Sequence, residues 1–134
     1  MNRRQSAVLN SPLKAYDSVN KSTMSGREVE ASVLTKAAHK LRECQNNWEA
    51  ANREERLKDA LKFNQQIWSI FQWELAKGDH PLHKKLRLDI LRLGSFIDRR
   101  ILEILADPTP EKLNIVIDVN NNLAAGLRSS PDIS

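Results

Sequence analysis

Residues 60–75 read ALKFNQQIWSIFQWEL and hold two of the chain's three Trp and two of its three Phe. On a helix, Leu57, Leu61, Asn64, Trp68, Phe71 and Leu75 recur at three- and four-residue steps, an apolar seam broken by Asn64. Phe63, Ile67, Ile70 and Trp73 form a second stripe beside it. The polar remainder, Lys58, Lys62, Gln65, Ser69 and Gln72, is narrow. A helix apolar over most of its circumference has to be covered on several sides, by its own chain or by a partner. This is the expected central helix, running from about Glu54 to Lys77.

The segments on either side read as helices too. Upstream, SGRE at Ser25–Glu28 has the form of a capping box, with Met24 and Val29 placed as a hydrophobic staple. The helix it starts keeps Glu30, Leu34, Ala37, Leu41, Cys44 and Trp48 in register, and Ala37 and Ala38 are small enough for a neighbour to approach closely. Asn46, Asn47 and Asn52 weaken helicity and predict a turn near residues 50–53. Downstream, Gly78-Asp79-His80-Pro81 stops the central helix. The next helix spans about Leu82–Ala106, with Leu86, Ile90, Leu93, Ile97, Ile101 and Ile104 as its main seam and Leu88, Leu91, Leu102 and Leu105 as a second. Gly94 beside the main seam either admits another backbone or is simply tolerated, at about 1 kcal/mol relative to Ala. Asp107-Pro-Thr-Pro-Glu111 ends that helix and starts another, with Thr109 as N-cap, Pro110 in the first turn and Gly126 as the residue just past the end.

No stretch shows the alternation of a strand. The fold class is therefore all-α: a compact antiparallel bundle of about four long helices, preceded by a short helix over Leu13–Lys21. Residues 1–12 read as a disordered basic extension, residues 13–128 as one domain and residues 129–134 as a flexible tail. Asn64 and Asn120 interrupt apolar seams near mid-helix and are the candidate buried polar residues, each requiring hydrogen-bond partners.

Length and composition suit a single globular domain: 134 residues, 40% apolar and 28% charged, with a net charge of +4. Cys44 is the one cysteine, so no disulfide forms within the chain, and it falls on an apolar helix side. Neither a secretion signal nor a run of about 20 apolar residues is present, and the chain reads as cytoplasmic. His80 and His83 are a weak metal pair, with no Cys or acidic cluster to join them. Glycine-rich phosphate loops, nucleophile elbows and zinc spacings are absent. The expectation is a protein that is not an enzyme and carries no cofactor.

Three co-linear runs then carry a resemblance: AYDSVNKSTMSGREVEASVLTKAAHKL, ALKFNQQIWSIFQWELAKGDHPL, and LRLGSFIDRRILEILADPTPEKLNIVIDVNNNLAAGL. Over residues 13–128 the chain resembles the FlaF flagellar-biosynthesis regulators, most specifically in FNQQIWSIFQ, SFIDRR and VNNNLAAGL. It departs from them at Gly26, where the family commonly has Pro. The resemblance implies a cytoplasmic factor for flagellin production, with flagellin and the regulator FlbT as partners. The opening around SGRE is also similar, over a short span, to the FliS flagellin chaperones.

Two routes to such a role differ in chemistry. A bundle with surplus apolar surface takes an amphipathic flagellin helix in a groove. The candidate contacts are Phe63, Ile70 and Trp73, with Arg99 and Arg100 as rim charges, against the alternative that these rings are core and the arginines a solvated face. The second route is RNA binding. Residues 1–27 carry five Lys/Arg against one Asp, and residues 80–105 carry six against three acidic groups. However, the aromatic residues lie in apolar seams and are not interleaved with the basic ones.

Overall fold

The computed structural model describes residues 26–77 and 83–129. Within them the chain forms α1 (Gly26–Asn46), α2 (Arg53–Ala76), α3 (Lys84–Ala106), one turn of 3-10 helix (Pro110–Leu113) and α4 (Asn114–Ser129), with no strand. The all-α bundle expected from the periodicity is what forms. The extension at residues 1–12, the short helix at Leu13–Lys21, the caps at Met24 and Ser25 and the stop at Gly78–Pro81 lie outside the described residues.

The turn between α1 and α2 follows from its asparagines. Asn47 Nδ2 donates to Glu43 O at 2.8 Å, competing with continuation of the helix. Ala50 and Arg53 then close successive turns onto Asn47 O and Ala50 O, each at 3.0 Å. The start of α3 has a cap that periodicity does not reveal. His83 is its N-cap, and Nδ1 accepts from the Lys85 backbone N–H at 3.2 Å.

α1 ends at Asn46, so Trp48 falls in the turn and not on the helix, and both ends of the final helix differ from expectation as well. The final helix does not begin at Thr109: the residue is extended and its side chain makes no capping bond, and Pro110–Leu113 form a 3-10 turn. Gln45 sets this geometry from α1, donating through Nε2 to Pro110 O at 2.8 Å and to Asn114 Oδ1 at 2.7 Å. Nor does Gly126 end the helix. α4 runs through it to Ser129 without a positive φ, so the reading of Ser129 as tail is corrected too. Packing overrides the local signal: Leu127 is buried, and Arg128 reaches Glu28 at 3.3 Å, which holds the last turn on α1.

α1 packs most extensively on α4, and α2 sits between α1 and α3. The expected α2 seam is buried throughout, from Leu57 to Leu75. α4 contributes Val116, Ile117, Asn120, Ala124 and Leu127, and α3 contributes Ile90, Gly94, Ile97, Ile101 and Ile104. At Gly94 the close neighbour is a side chain and not a backbone. A methyl there would overlap Gln72 Nε2 and press on the rest of that side chain. Gly94→Val is expected to destabilise by about 1–3 kcal/mol through overpacking. In a Gln72→Ala background, Gly94→Ala should instead stabilise by about 1 kcal/mol, its helix-propensity gain. Urea unfolding of the three variants checks both signs.

Candidate partner-docking face

The two buried amides meet at the centre of the bundle. Asn64 and Asn120 are both fully buried, and Asn120 Nδ2 donates to Asn64 Oδ1 at 2.6 Å. Asn64 Nδ2 donates to Ala37 O on α1 at 3.1 Å and to Ala60 O in its own helix at 2.9 Å. Asn120 Oδ1 accepts from Trp68 Nε1 at 3.0 Å. One chain of hydrogen bonds thus joins α1, α2 and α4 at a single level. A bond made in one register and lost in every other fixes how the helices align.

The candidate contact residues separate. Phe63 is buried in the apolar core and not in an open groove, with the Lys36 and Lys40 ammonium groups of α1 5.7 and 4.9 Å from its ring centroid. Ile70 is half-buried. Trp73 is 63% exposed, with Lys77 Nζ 3.6 Å from its ring centroid. Arg99 is exposed. Arg100 is not a free rim charge, since it pairs with Glu103 at 3.1 Å and lies over Phe96 at 5.3 Å. The physical reason for the split is the position of α1, which covers the Phe63 side of α2 and leaves the Trp73 side open.

The structure adds a row of leucines to Trp73. Leu88, Leu102 and Leu105 on α3 are exposed, Leu102 by 61%, and Leu91 between them is half-buried. Read from the sequence, this row is a second packing seam; in the fold, α3 leans mainly on α2 and the row meets solvent. The available signal was that α3 carries apolar residues around more of its circumference than one flanking helix can cover. Gln72 fills the notch at Gly94, so by helical phase Ser69, Ala76 and Trp73 continue the α2 surface towards this row. The outer side of the α2–α3 pair therefore presents large apolar side chains, with Lys84, Arg92 and Arg99 exposed along it.

Among the described residues no group of three His, Cys, Asp or Glu could hold a metal ion. A shallow depression at Lys40, Glu43, Cys44, Arg56, Asp59 and Ala60 is lined mainly by polar groups. Cys44 beside it is buried, and that burial pushes its thiol pKa above the ordinary value, with Arg56 partly opposing. Because the thiolate is the nucleophile, iodoacetamide is expected to label Cys44 far more slowly in the folded protein than in urea. The same shift means that Cys44 costs no stability at neutral pH. Above the thiol's ordinary pKa, the unfolded state ionises first and stability falls as pH rises.

The model of the flagellar protein FlaF family matches residues 12–127. The chain belongs to the FlaF family. No curated protein and no solved structure matches it. The FlaF match covers α1 to α3 and α4 as far as Leu127, so the asparagine-linked core and the outer α2–α3 face both lie within it. Among the described residues no helix is long and apolar enough to cross a membrane.

Proposed function

We propose that this FlaF-family chain binds flagellin in the cytoplasm, as a chaperone or export factor, and so couples flagellin synthesis to secretion without catalysing a reaction. The observation that carries the reading is the apolar outer face of the α2–α3 pair, with Trp73, Leu88, Leu102 and Leu105 open to solvent. An amphipathic helix lying along it buries its i, i+3, i+4 and i+7 anchors there. Acidic residues on the flank of that helix would meet Lys84, Arg92 and Arg99. Holding such a segment prevents premature self-association of flagellin and leaves the free factor as a measure of unexported flagellin.

Titration calorimetry with flagellin, intact and lacking either terminal segment, tests this. Binding with a negative heat-capacity change that disappears with one terminus supports the reading and names the segment. No binding to any form removes it. Trp73→Ala is expected to change stability by less than about 1 kcal/mol, since the ring is mostly solvated. The same change should weaken flagellin binding by about 2 kcal/mol or more if Trp73 is a hot spot.

The basic excess of α3, from Lys84 to Arg100, favours a second reading, control of flagellin mRNA translation, directly or through FlbT. Against the direct route, Phe63, Trp68 and Phe71 are core and cannot stack on bases. Binding of the flagellin leader RNA that weakens steeply with salt would support that route.

A further inference from the structure

The exposed row on α3 has a second regularity. Leu88, Leu91, Ser95, Asp98, Leu102 and Leu105 follow the alternating three- and four-residue spacing of a heptad seam. The same spacing, offset around the helix, governs the buried Ile90, Gly94, Ile97, Ile101 and Ile104. α3 therefore carries one seam used inside the fold and one outside it. The outer seam is also symmetric in position about the point between Phe96 and Ile97, with leucine mapping onto leucine at both ends and serine onto aspartate at the centre. Reversed end for end, Leu88 falls on Leu105, Leu91 on Leu102 and Ser95 on Asp98.

We propose that a second copy of this chain covers the outer seam, giving a two-fold dimer through antiparallel pairing of α3 with α3. An isologous contact needs a surface complementary to itself, and this seam supplies one. Its leucines meet leucines at both ends. At the centre, each Ser95 hydroxyl donates to the Asp98 carboxylate of the other copy. Asp98 is half-buried in the free chain and makes no ion pair with the described residues. In the dimer, Arg92 and Arg99 of the second copy fall within about one helical turn of it. Arg92 is already tied to Asp89 at 3.3 Å, which limits repulsion between the arginine rows.

Eight leucines in two helices, with the outer sides of both α2 helices alongside, supply the apolar centre of the contact, for which roughly 1,000 Å² is the usual minimum. A reversible dimer of about micromolar affinity is the expected result. It occupies the face proposed above for flagellin, so the two compete. It does not depend on that reading, because it is measured on the protein alone.

Sedimentation equilibrium of the full chain, over about a hundredfold concentration range around the micromolar, is the test. The expected result is a reversible monomer–dimer equilibrium that Leu102→Glu shifts to monomer with unchanged circular dichroism. A wild type that stays monomeric, or a dimer indifferent to Leu102→Glu, overturns the proposal. Register is tested by oxidation in a Cys44→Ala background. Leu91→Cys combined with Leu102→Cys should cross-link two copies, whereas Leu102→Cys alone should not. Cross-linking by the single variant would mean parallel or unregistered contact and sink the antiparallel seam. Loss of flagellin binding with the dimer intact would remove the functional reading and leave the dimer standing.

Discussion

Trp68→Ala is expected to lower the unfolding free energy by about 3–5 kcal/mol, at the top of the range for a single core truncation. The ring is fully buried, lies 6.1 Å from Phe71 at a 47° tilt, and donates its N–H to Asn120. Truncation removes the apolar contact, opens a cavity and strips Asn120 Oδ1 of its tryptophan donor. Trp68→Phe separates these contributions, because it keeps most of the ring and leaves Asn120 Oδ1 short of that donor. Its cost is expected at about 1–3 kcal/mol, the range for an orphaned buried polar group. Urea denaturation followed by circular dichroism gives both values without relying on tryptophan emission. A Trp68→Ala variant as stable as Trp73→Ala would mean that the central level of the bundle is not packed as described.

The second large effect is a non-additive one. Asn120→Leu leaves Trp68 Nε1 and Asn64 Oδ1 without their shared partner, and about 3 kcal/mol is expected from two such losses. Asn64→Leu similarly strands Asn120 Nδ2 and removes the donor to Ala37 O. With both residues changed to Leu, the bond between them is absent from both sides at once. The pair should then cost less than the sum of the single changes by about 1–3 kcal/mol. A double-mutant cycle by chemical denaturation measures that difference. Simple additivity would show that the 2.6 Å contact carries no coupling and that these amides do not set helix register.

Most of the fold is legible in the sequence because it is written in periodicity. Leu57 through Leu75 declare one face of α2, Leu34 through Cys44 one face of α1, and those faces are buried. What periodicity does not carry is which second face finds a neighbour. Phe63 and Trp73 lie on the same stripe by sequence, yet one is core and the other exposed. The placement of α1 decides this, since it covers the Phe63 side of α2 and leaves Trp73 beyond that cover. The α3 leucines misread in the opposite sense, as packing residues, because the number of helices flanking α3 is a property of topology and not of its own residues. Gly126 misled for a third reason. Its cap chemistry is a weak local preference, and burial of Leu127 next to it outweighs that preference. The candidate site was therefore half visible, through Trp73 and Arg99, with its leucine row hidden by a correct periodicity given the wrong partner.

The most extensive helix pairing joins the first and last helices described, α1 and α4, and Arg128 ties back to Glu28 across most of the chain. During synthesis from the amino terminus, α1 and α2 emerge with Leu34, Leu41 and Trp68 still lacking the cover that α4 supplies. The bundle cannot close until residues near Leu127 have left the ribosome. Contacts so far apart in sequence also slow folding, since a long loop must be closed before they form. A stop codon placed just before Leu127 is therefore expected to yield an aggregation-prone chain and not a shortened working one.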